Sequence, residues 1–358
     1  MKIIANYLPQ FYNSENNNLW WGDGFTEWTN IARHERFSKN QELIVPGELG
    51  FYDLEDKEIH YKQCELASAY GMDAFMYWVY YTGIETGFLL DKPLDVRLEV
   101  NHDFPFCFSW ANHDWKKKEW DKNANVFSSE ILAKQKYRKE DIRFLYDHYK
   151  KWFADKRYLR VSNKLVFGIF KPLEVPYLRE MINSWNCWAS EDGLEGFLFI
   201  GHSVDRDEID EILQLGIDLV NFSPLAEIFK VKYTRYQIVK RLIKSALGLR
   251  NMVPYSEAML KSMSDKINTS EFVIPTLIPR WDHTPRSGKH GTALLKPSPH
   301  NFFLSCRKLF AQIQKKNQGL IILKSWNEWG EGNFIEPDFI NKRGYLEALA
   351  KAIEDVKE

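Results

Sequence analysis

Cysteine is scarce and scattered: Cys64, Cys107, Cys187 and Cys306 are all the chain has, and no two form a Cys-x-x-Cys pair. Cys107 lies in an apolar, strand-like run, and Cys64 and Cys306 lie in helical patterns, so buried free thiols of a reducing compartment fit better than a disulfide framework. No apolar stretch approaches the roughly 20 residues that a membrane-spanning helix needs. The opening Met1-Lys2-Ile3-Ile4-Ala5 turns polar at Asn6, short of the apolar core of a signal peptide. An excess of either charge is missing too. The 48 basic and 49 acidic residues leave a net of −1, which gives no electrostatic reason to expect nucleic acid as a partner. There is no P-loop, no His-Glu-x-x-His and no Cys/His set at zinc spacing, so neither a metal nor an organic cofactor is expected. What is left is a cytoplasmic, enzyme-sized chain of 358 residues.

Aromatic residues, by contrast, are abundant at 15%, with 13 Trp among them. Eight short apolar runs punctuate the chain: Ile3–Tyr7, Ala74–Tyr80, Phe104–Trp110, Leu165–Phe170, Phe197–Gly201, Leu219–Phe222, Phe272–Ile278 and Leu320–Trp326. Each is apolar almost throughout, as strands buried on both faces of a parallel sheet must be. Amphipathic stretches fall between them: Asp53–Tyr70 (stopped by Gly71), Tyr137–Phe153, Leu178–Ala189, Glu208–Leu215, Pro299–Lys316 and Tyr345–Val356. Alternation repeated about eight times predicts an α/β fold, either a (β/α)8 barrel or a long doubly wound sheet. The barrel is favoured because Asn6-Tyr7-Leu8-Pro9-Gln10 follows the first run where a dinucleotide fold would carry glycines. The expected arrangement is one catalytic barrel over 1–358, with long insertions at 8–52 after the first strand and 225–270 after the sixth.

In such a barrel the site gathers at the C-terminal ends of the strands. The eighth run delivers into Asn327-Glu328-Trp329-Gly330-Glu331-Gly332. Two carboxylates three residues apart suit a general acid and base on one substrate, since close like charges drive their protonation states apart; a solvated acidic turn is the bland alternative. The third run ends in Trp110-Ala111-Asn112-His113-Asp114-Trp115, and the seventh in Arg280-Trp281-Asp282-His283-Thr284-Pro285-Arg286. His113 and Asp114 have the chemistry to position hydroxyls or to sit as a supporting pair. Arg286 can meet an anionic group or fix its own loop. Nine of the Trp residues fall at strand ends or in the loops after them: Trp20, Trp21, Trp28, Trp78, Trp110, Trp115, Trp281, Trp326 and Trp329. Aromatic platforms interleaved with Asn, Asp, Glu and His suit the apolar faces and hydroxyl rims of sugars. Asp205-Arg206-Asp207 has the form of a metal-binding pair of some sugar-nucleotide transferases, yet reads better as the start of a helix. The basic run 230–250 reads as the solvated face of an inserted helix, or as a surface resting on an anionic membrane near a lipid-linked glycan.

Tyr7-Leu8-Pro9-Gln10-Phe11, Trp20-Trp21-Gly22, Gly24 to Asn30 with its Glu27-Trp28, Leu49 to Leu54, Phe106 to Asn112, Trp281-Asp282 and Asn327 to Asn333 together resemble the WbsX-type proteins of bacterial polysaccharide gene clusters. The resemblance runs in order along essentially the whole chain. Members are labelled glycosyltransferases of O-antigen or capsule assembly, and their fold is similar to that of the family 99 glycoside hydrolases, retaining endo-α-mannosidases built on a (β/α)8 barrel. What this implies is a carbohydrate-active enzyme in which Glu328 deprotonates the sugar's own 2-hydroxyl and Glu331 is acid/base at the leaving oxygen, through a 1,2-anhydro intermediate. The more common retaining scheme uses a carboxylate nucleophile instead. The partner is an oligosaccharide or polysaccharide, with lipid linkage and peripheral membrane contact as a variant. The chain departs from the family at His113-Asp114, where Glu-Asn is common, at His283, where Asn is usual, and at Tyr12, where His is frequent. Substrate contacts are expected from Tyr7, Trp21, Glu27, Trp28, Trp78, Trp110, Asn112, His113, Asp114, Trp281, Asp282, Arg286, Trp326, Asn327 and Trp329. A catalytically silent glycan-binding module is the second reading; it expects Glu331→Gln to leave every measurable effect unchanged.

Overall fold

The eight apolar runs pair as one closed, all-parallel sheet in the computed structural model, which describes residues 1–32, 44–121, 126–229, 252–287 and 291–357. Within these spans the side chains of residues 30, 117–121, 126–129, 285 and 286 are also outside the description. The strands are β1 (Lys2–Tyr7), β2 (Ala74–Tyr81), β3 (Phe106–Trp110), β4 (Lys164–Ile169), β5 (Phe197–Ser203), β6 (Leu219–Phe222), β7 (Val273–Leu277) and β8 (Leu320–Leu323). Each pairs with its neighbours in sequence order, and β1 closes the ring by pairing with both β2 and β8. All eight residues of β2 and all seven of β5 are buried. Their runs therefore show no polar alternation, because helices cover the outer face while the barrel fills the inner one.

Among the described residues each strand is followed by a helix of the outer layer: α1 (Lys57–Ala69), α2 (Lys92–Glu99), α3 (Asp141–Phe153), α4 (Leu178–Glu191), α5 (Ile209–Gln214), α6 (Tyr255–Ser262), α7 (Pro299–Ile313) and α8 (Gly344–Lys357). Their ends follow from local chemistry. The Asp56 carboxylate accepts from the Glu58 N–H at 2.9 Å to start α1, and Gly71, at φ +84°, takes the left-handed turn after it. Ser298 caps α7, and Pro299 occupies its first turn, where a missing N–H costs nothing. The sequence pattern did not reveal α2, which has only eight residues and carries Pro93 in its first turn, nor α6.

The barrel architecture matches the expectation, and so do long excursions after β1 and β6. A third excursion, not foreseen, follows β3: Trp115–Asp121 pairs antiparallel with Val126–Ala133. Its Lys116-Lys117-Lys118-Glu119 carries no apolar alternation from which a strand can be read. The excursion after β1 is not merely a loop, since it holds short helices at Glu15–Trp21 and Glu27–Ala32. The basic run 230–250 lies outside the described residues. Asp205 caps a helical turn by accepting from the Asp207 N–H, and Arg206 pairs with Glu227 and Asp265, so this segment does begin a helix as expected. All four cysteines are free, with Cys187 exposed and the other three buried. Among the described residues no helix is long and apolar enough to cross a membrane.

Candidate active site

The inner face of the barrel can be read from the strand register. Trp78 lies beside Ser109, Ser109 beside Gly168, and Asn221 beside His202. In-register neighbours of a parallel sheet share a face. Below the mouth these residues form a polar chain: the Ser109 hydroxyl lies 2.9 Å from His202 Nε2, and His202 Nδ1 lies 2.9 Å from Asn221 Oδ1. Asn221 Nδ2 donates to the Ile274 carbonyl at 3.0 Å, which can only accept, so Oδ1 is the atom facing His202. It follows that His202 carries its proton on Nδ1 and accepts from Ser109 at Nε2. Burial holds the imidazole neutral, with its pKa lowered to about 4. Gly168 makes this arrangement possible, because a Cβ there would stand 2.4 Å from Ser109 Oγ.

On this floor rests Trp78, its ring 5.4 Å from that of His202. Its indole N–H donates to Glu328 Oε1 at 2.9 Å, and Asn333 Nδ2 donates to Glu328 Oε2 at 3.3 Å. Glu328 is 7% exposed, and both oxygens of this nearly buried carboxylate meet N–H donors that fix their direction. Asn327–Glu328 pairs antiparallel with Asn333–Phe334, and the turn Trp329–Glu331 between them closes on Gly332 at φ +52°. Gly332 is needed for space as well, since a Cβ would come within 2.8 Å of Asp282 Cβ. Glu331 stands at the other end of this turn, its Oε1 3.7 Å from His283 Nε2. His283 Nδ1 is in turn 2.8 Å from Ser287 Oγ, and the Asp282 N–H donates to the Glu331 carbonyl at 2.9 Å. The loops after β7 and β8 are thus tied together around Glu331.

Several residues expected at the substrate are enclosed instead. Tyr7 is fully buried and donates from its hydroxyl to Gln63 Oε1 at 2.7 Å. Asn327 clamps Leu8, accepting from its N–H at 2.8 Å and donating to its carbonyl at 3.1 Å. Trp326 packs against Phe75 with no exposed surface, Trp110 donates its N–H to the Tyr81 carbonyl, and Trp329 donates to Glu336 Oε2 at 2.6 Å. Trp28 donates to the Tyr52 carbonyl, and Glu27 is buried beside it. Asn112 bridges the loops after β3 and β4 by bonding both the N–H and the carbonyl of Lys171. Asp282 accepts from the N–H and hydroxyl of Thr284, starting the helical turn Thr284–Ser287. His113, whose ring lies edge-on to Phe170, and Asp114, which accepts from the Gln135 N–H, are partly exposed, as are Trp281 and Trp21. The Arg286 side chain is outside the described residues.

The structure also adds Glu336, which sequence reasoning missed. This buried carboxylate accepts from Tyr52 at 2.9 Å, Gln63 at 2.7 Å and Trp329, joining the first loop, α1 and the last loop. Burial pushes its pKa up to about 7 against the pull of these donors. Nothing in Ile335-Glu336-Pro337 distinguishes it from a surface acid. His283 was visible as part of a polar strand end and as a departure from the family's usual Asn, and its partner lies on another loop.

Against this geometry, the comparisons with known proteins agree with one another. An uncharacterised protein of Xanthomonas campestris pathovar campestris, WxcX, is 26% identical over 358 residues, covering 98% of this chain and 49% of its own length. The chain therefore spans about half the length of the curated relatives it matches. A glycoside hydrolase-like protein superposes with a TM-score of 0.60 at 14% identity, over 98% of this chain and 93% of the other. The family 99 endo-α-mannosidase of Bacteroides thetaiotaomicron does so with a TM-score of 0.58 at 16% identity, over 99% and 97%. At these identities the solved structures share the fold, a (β/α)8 barrel. The model of a single family, Glycosyltransferase WbsX, runs unbroken from residue 3 to residue 349, through the barrel and the loops that hold Glu328 and Glu331, and the chain belongs to that family.

Proposed function

We propose that the chain is a retaining carbohydrate-active enzyme acting on a glycosidic linkage in bacterial cell-surface polysaccharide metabolism, with Glu328 and Glu331 as its acid/base pair. The observation that carries this reading is the unequal setting of the two carboxylates on one tight turn at the end of β8. Glu328 is held at both oxygens by N–H donors, Trp78 and Asn333, which suits a base whose oxygens must be fixed in place. Glu331 stands at 3.7 Å from His283, a titratable neighbour suited to a group that gives and takes a proton. In the sequence of steps, Glu328 removes the proton of the sugar's 2-hydroxyl, O2 attacks C1, and the bond from C1 to the leaving oxygen breaks as Glu331 protonates that oxygen. The acceptor then opens the 1,2-anhydro ring at C1, losing its proton to Glu331, while O2 recovers its proton from Glu328. Configuration is retained after two inversions.

Water or a sugar hydroxyl serves equally well as acceptor in this scheme. The family description favours transfer, whereas the fold is that of glycoside hydrolases. Incubating purified protein with polysaccharide of the source cell, with and without nucleotide sugars, and weighing the products distinguishes them. Shortened glycan without donor means hydrolysis; donor-dependent extension means transfer. No mass change under either condition, in protein shown to be folded, overturns the enzymatic reading in favour of a silent glycan-binding module.

A further inference from the structure

We propose that the sugar taken by this site carries a carboxylate, as a hexuronic acid does, and that Lys324 pairs with it. This inference rests on reading the mouth of the barrel as a glycan site. The pairing of Thr276 with Ile322 puts Ile322 on the inner face, and the ladder continues one residue beyond β8 through the Lys324 N–H to the Leu277 carbonyl at 2.8 Å. Lys324 therefore follows Ile322 onto the inner face, at the C-terminal mouth and four residues before Glu328. Its ammonium lies 5.3 Å from the centre of the Trp281 ring. Its charge also reaches across the barrel to His202, where it adds to the burial that keeps that imidazole neutral. Among the described residues no carboxylate forms an ion pair with it.

A second observation lies on the neighbouring strand. Ala5 pairs with Leu323, so Asn6 stands abreast of Lys324 on the inner face. Asn6 is 2% exposed, and its Oδ1 is buried without a hydrogen-bond partner. A buried acceptor of this kind is costly unless a ligand or a water supplies a donor. A cation and an orphan acceptor on adjacent strands, roughly 4.8 Å apart, call for a ligand with an anionic group beside a hydroxyl. A hexuronic acid has this arrangement, with its carboxylate on C5 and a hydroxyl on C4. The dianion of a phosphate monoester brings negative charge but no donor of its own for Asn6.

The test titrates the full chain with methyl glucuronide, galacturonide and mannuronide and with the three neutral methyl hexosides, followed by ligand-observed NMR. At least one uronide is expected to bind tenfold or more tightly than its neutral counterpart, in line with a charge-assisted bond, and to lose that preference as salt is raised. The preference should vanish in Lys324→Met and return in Lys324→Arg. If Lys324→Met does not fold, the salt dependence in the unaltered chain carries the test. Equal binding of uronides and hexosides, or a preference that survives in folded Lys324→Met, overturns the assignment. Lys324-dependent binding of inorganic phosphate in place of uronides overturns it too, in favour of a phosphate-bearing substrate. Binding of neither class of sugar removes the glycan reading itself, and this inference with it.

Discussion

At the scale of single residues, the roles given to Glu328 and Glu331 make different demands on their neighbours. Glu328→Gln keeps the shape and replaces an acceptor oxygen by an NH2 group that faces the donor of Trp78 or Asn333. It is expected to lower turnover by about 10²- to 10⁴-fold and to lower the thermal midpoint modestly through the donor left unpaired, measured by product mass and by calorimetry. Glu331→Gln should act most strongly on poor leaving groups, so an activated aryl glycoside is expected to recover much of the rate. Equal loss on activated and ordinary substrates would remove Glu331 from the leaving oxygen. Trp78→Phe keeps the ring over His202 while deleting the N–H to Glu328 Oε1. It should reduce turnover more than substrate affinity, because the base loses its orientation and not its contact surface.

At the scale of elements, the proposed chemistry requires a close approach of the turns after β7 and β8. Gly332 has φ +52° and no room for a Cβ against Asp282. Gly332→Ala is expected to cost about 1 kcal/mol or more and to separate Glu331 from His283. Turnover should fall more than that loss of stability explains, as read from kinetics and urea unfolding on the same preparation. The Arg280–Asp338 pair lies just behind this contact, buried at 2.7 Å, with the guanidinium over the Phe334 and Tyr345 rings. Removing one partner leaves the other charge buried, so Asp338→Ala is expected to destabilise by about 3–5 kcal/mol in denaturant titration.

At the scale of the whole molecule, two buried histidines contribute to the response to acid. His60 and His202 both have pKa values lowered to about 4, chiefly by burial, so each is held neutral in the fold. Their contribution is complete above the ordinary histidine value of about 6.5 and is lost as pH falls from there towards 4. Glu336 works the other way: with its pKa raised to about 7, it favours the fold below about 4.5 and loses that contribution as pH rises through 7. Of these three groups, the two histidines outweigh Glu336 as pH falls from 6.5 towards 4. His202→Gln is expected to be less stable at pH 7 but to show a shallower fall between pH 6.5 and 4 in urea midpoint. An unchanged slope would mean that His202 does not titrate on unfolding.

The barrel was readable from the chain because its cause is local. A strand buried on both faces must be apolar at every position, and eight such runs stand out whatever packs on them. The Asn327–Gly332 segment was readable for the same reason, since strand end, carboxylates and glycines are contiguous. The strand pair after β3 and the short α2 were not, because neither sequence carries a periodic apolar pattern. The surroundings of the carboxylates depended on distant segments. Trp78 and Glu328 are 250 residues apart, Tyr52 and Glu336 are 284 apart, and Leu8 and Asn327 are 319 apart. Barrel closure brings these pairs to hydrogen-bond distance, and no spacing along the chain encodes which donor meets which oxygen. The sequence by itself thus determined the strands, their order and the place of the carboxylates. Only the tertiary structure decided which aromatic residues brace the loops, how Glu328 is held, and that Lys324 and Asn6 look into the same mouth, because closing a ring fixes facing and register together.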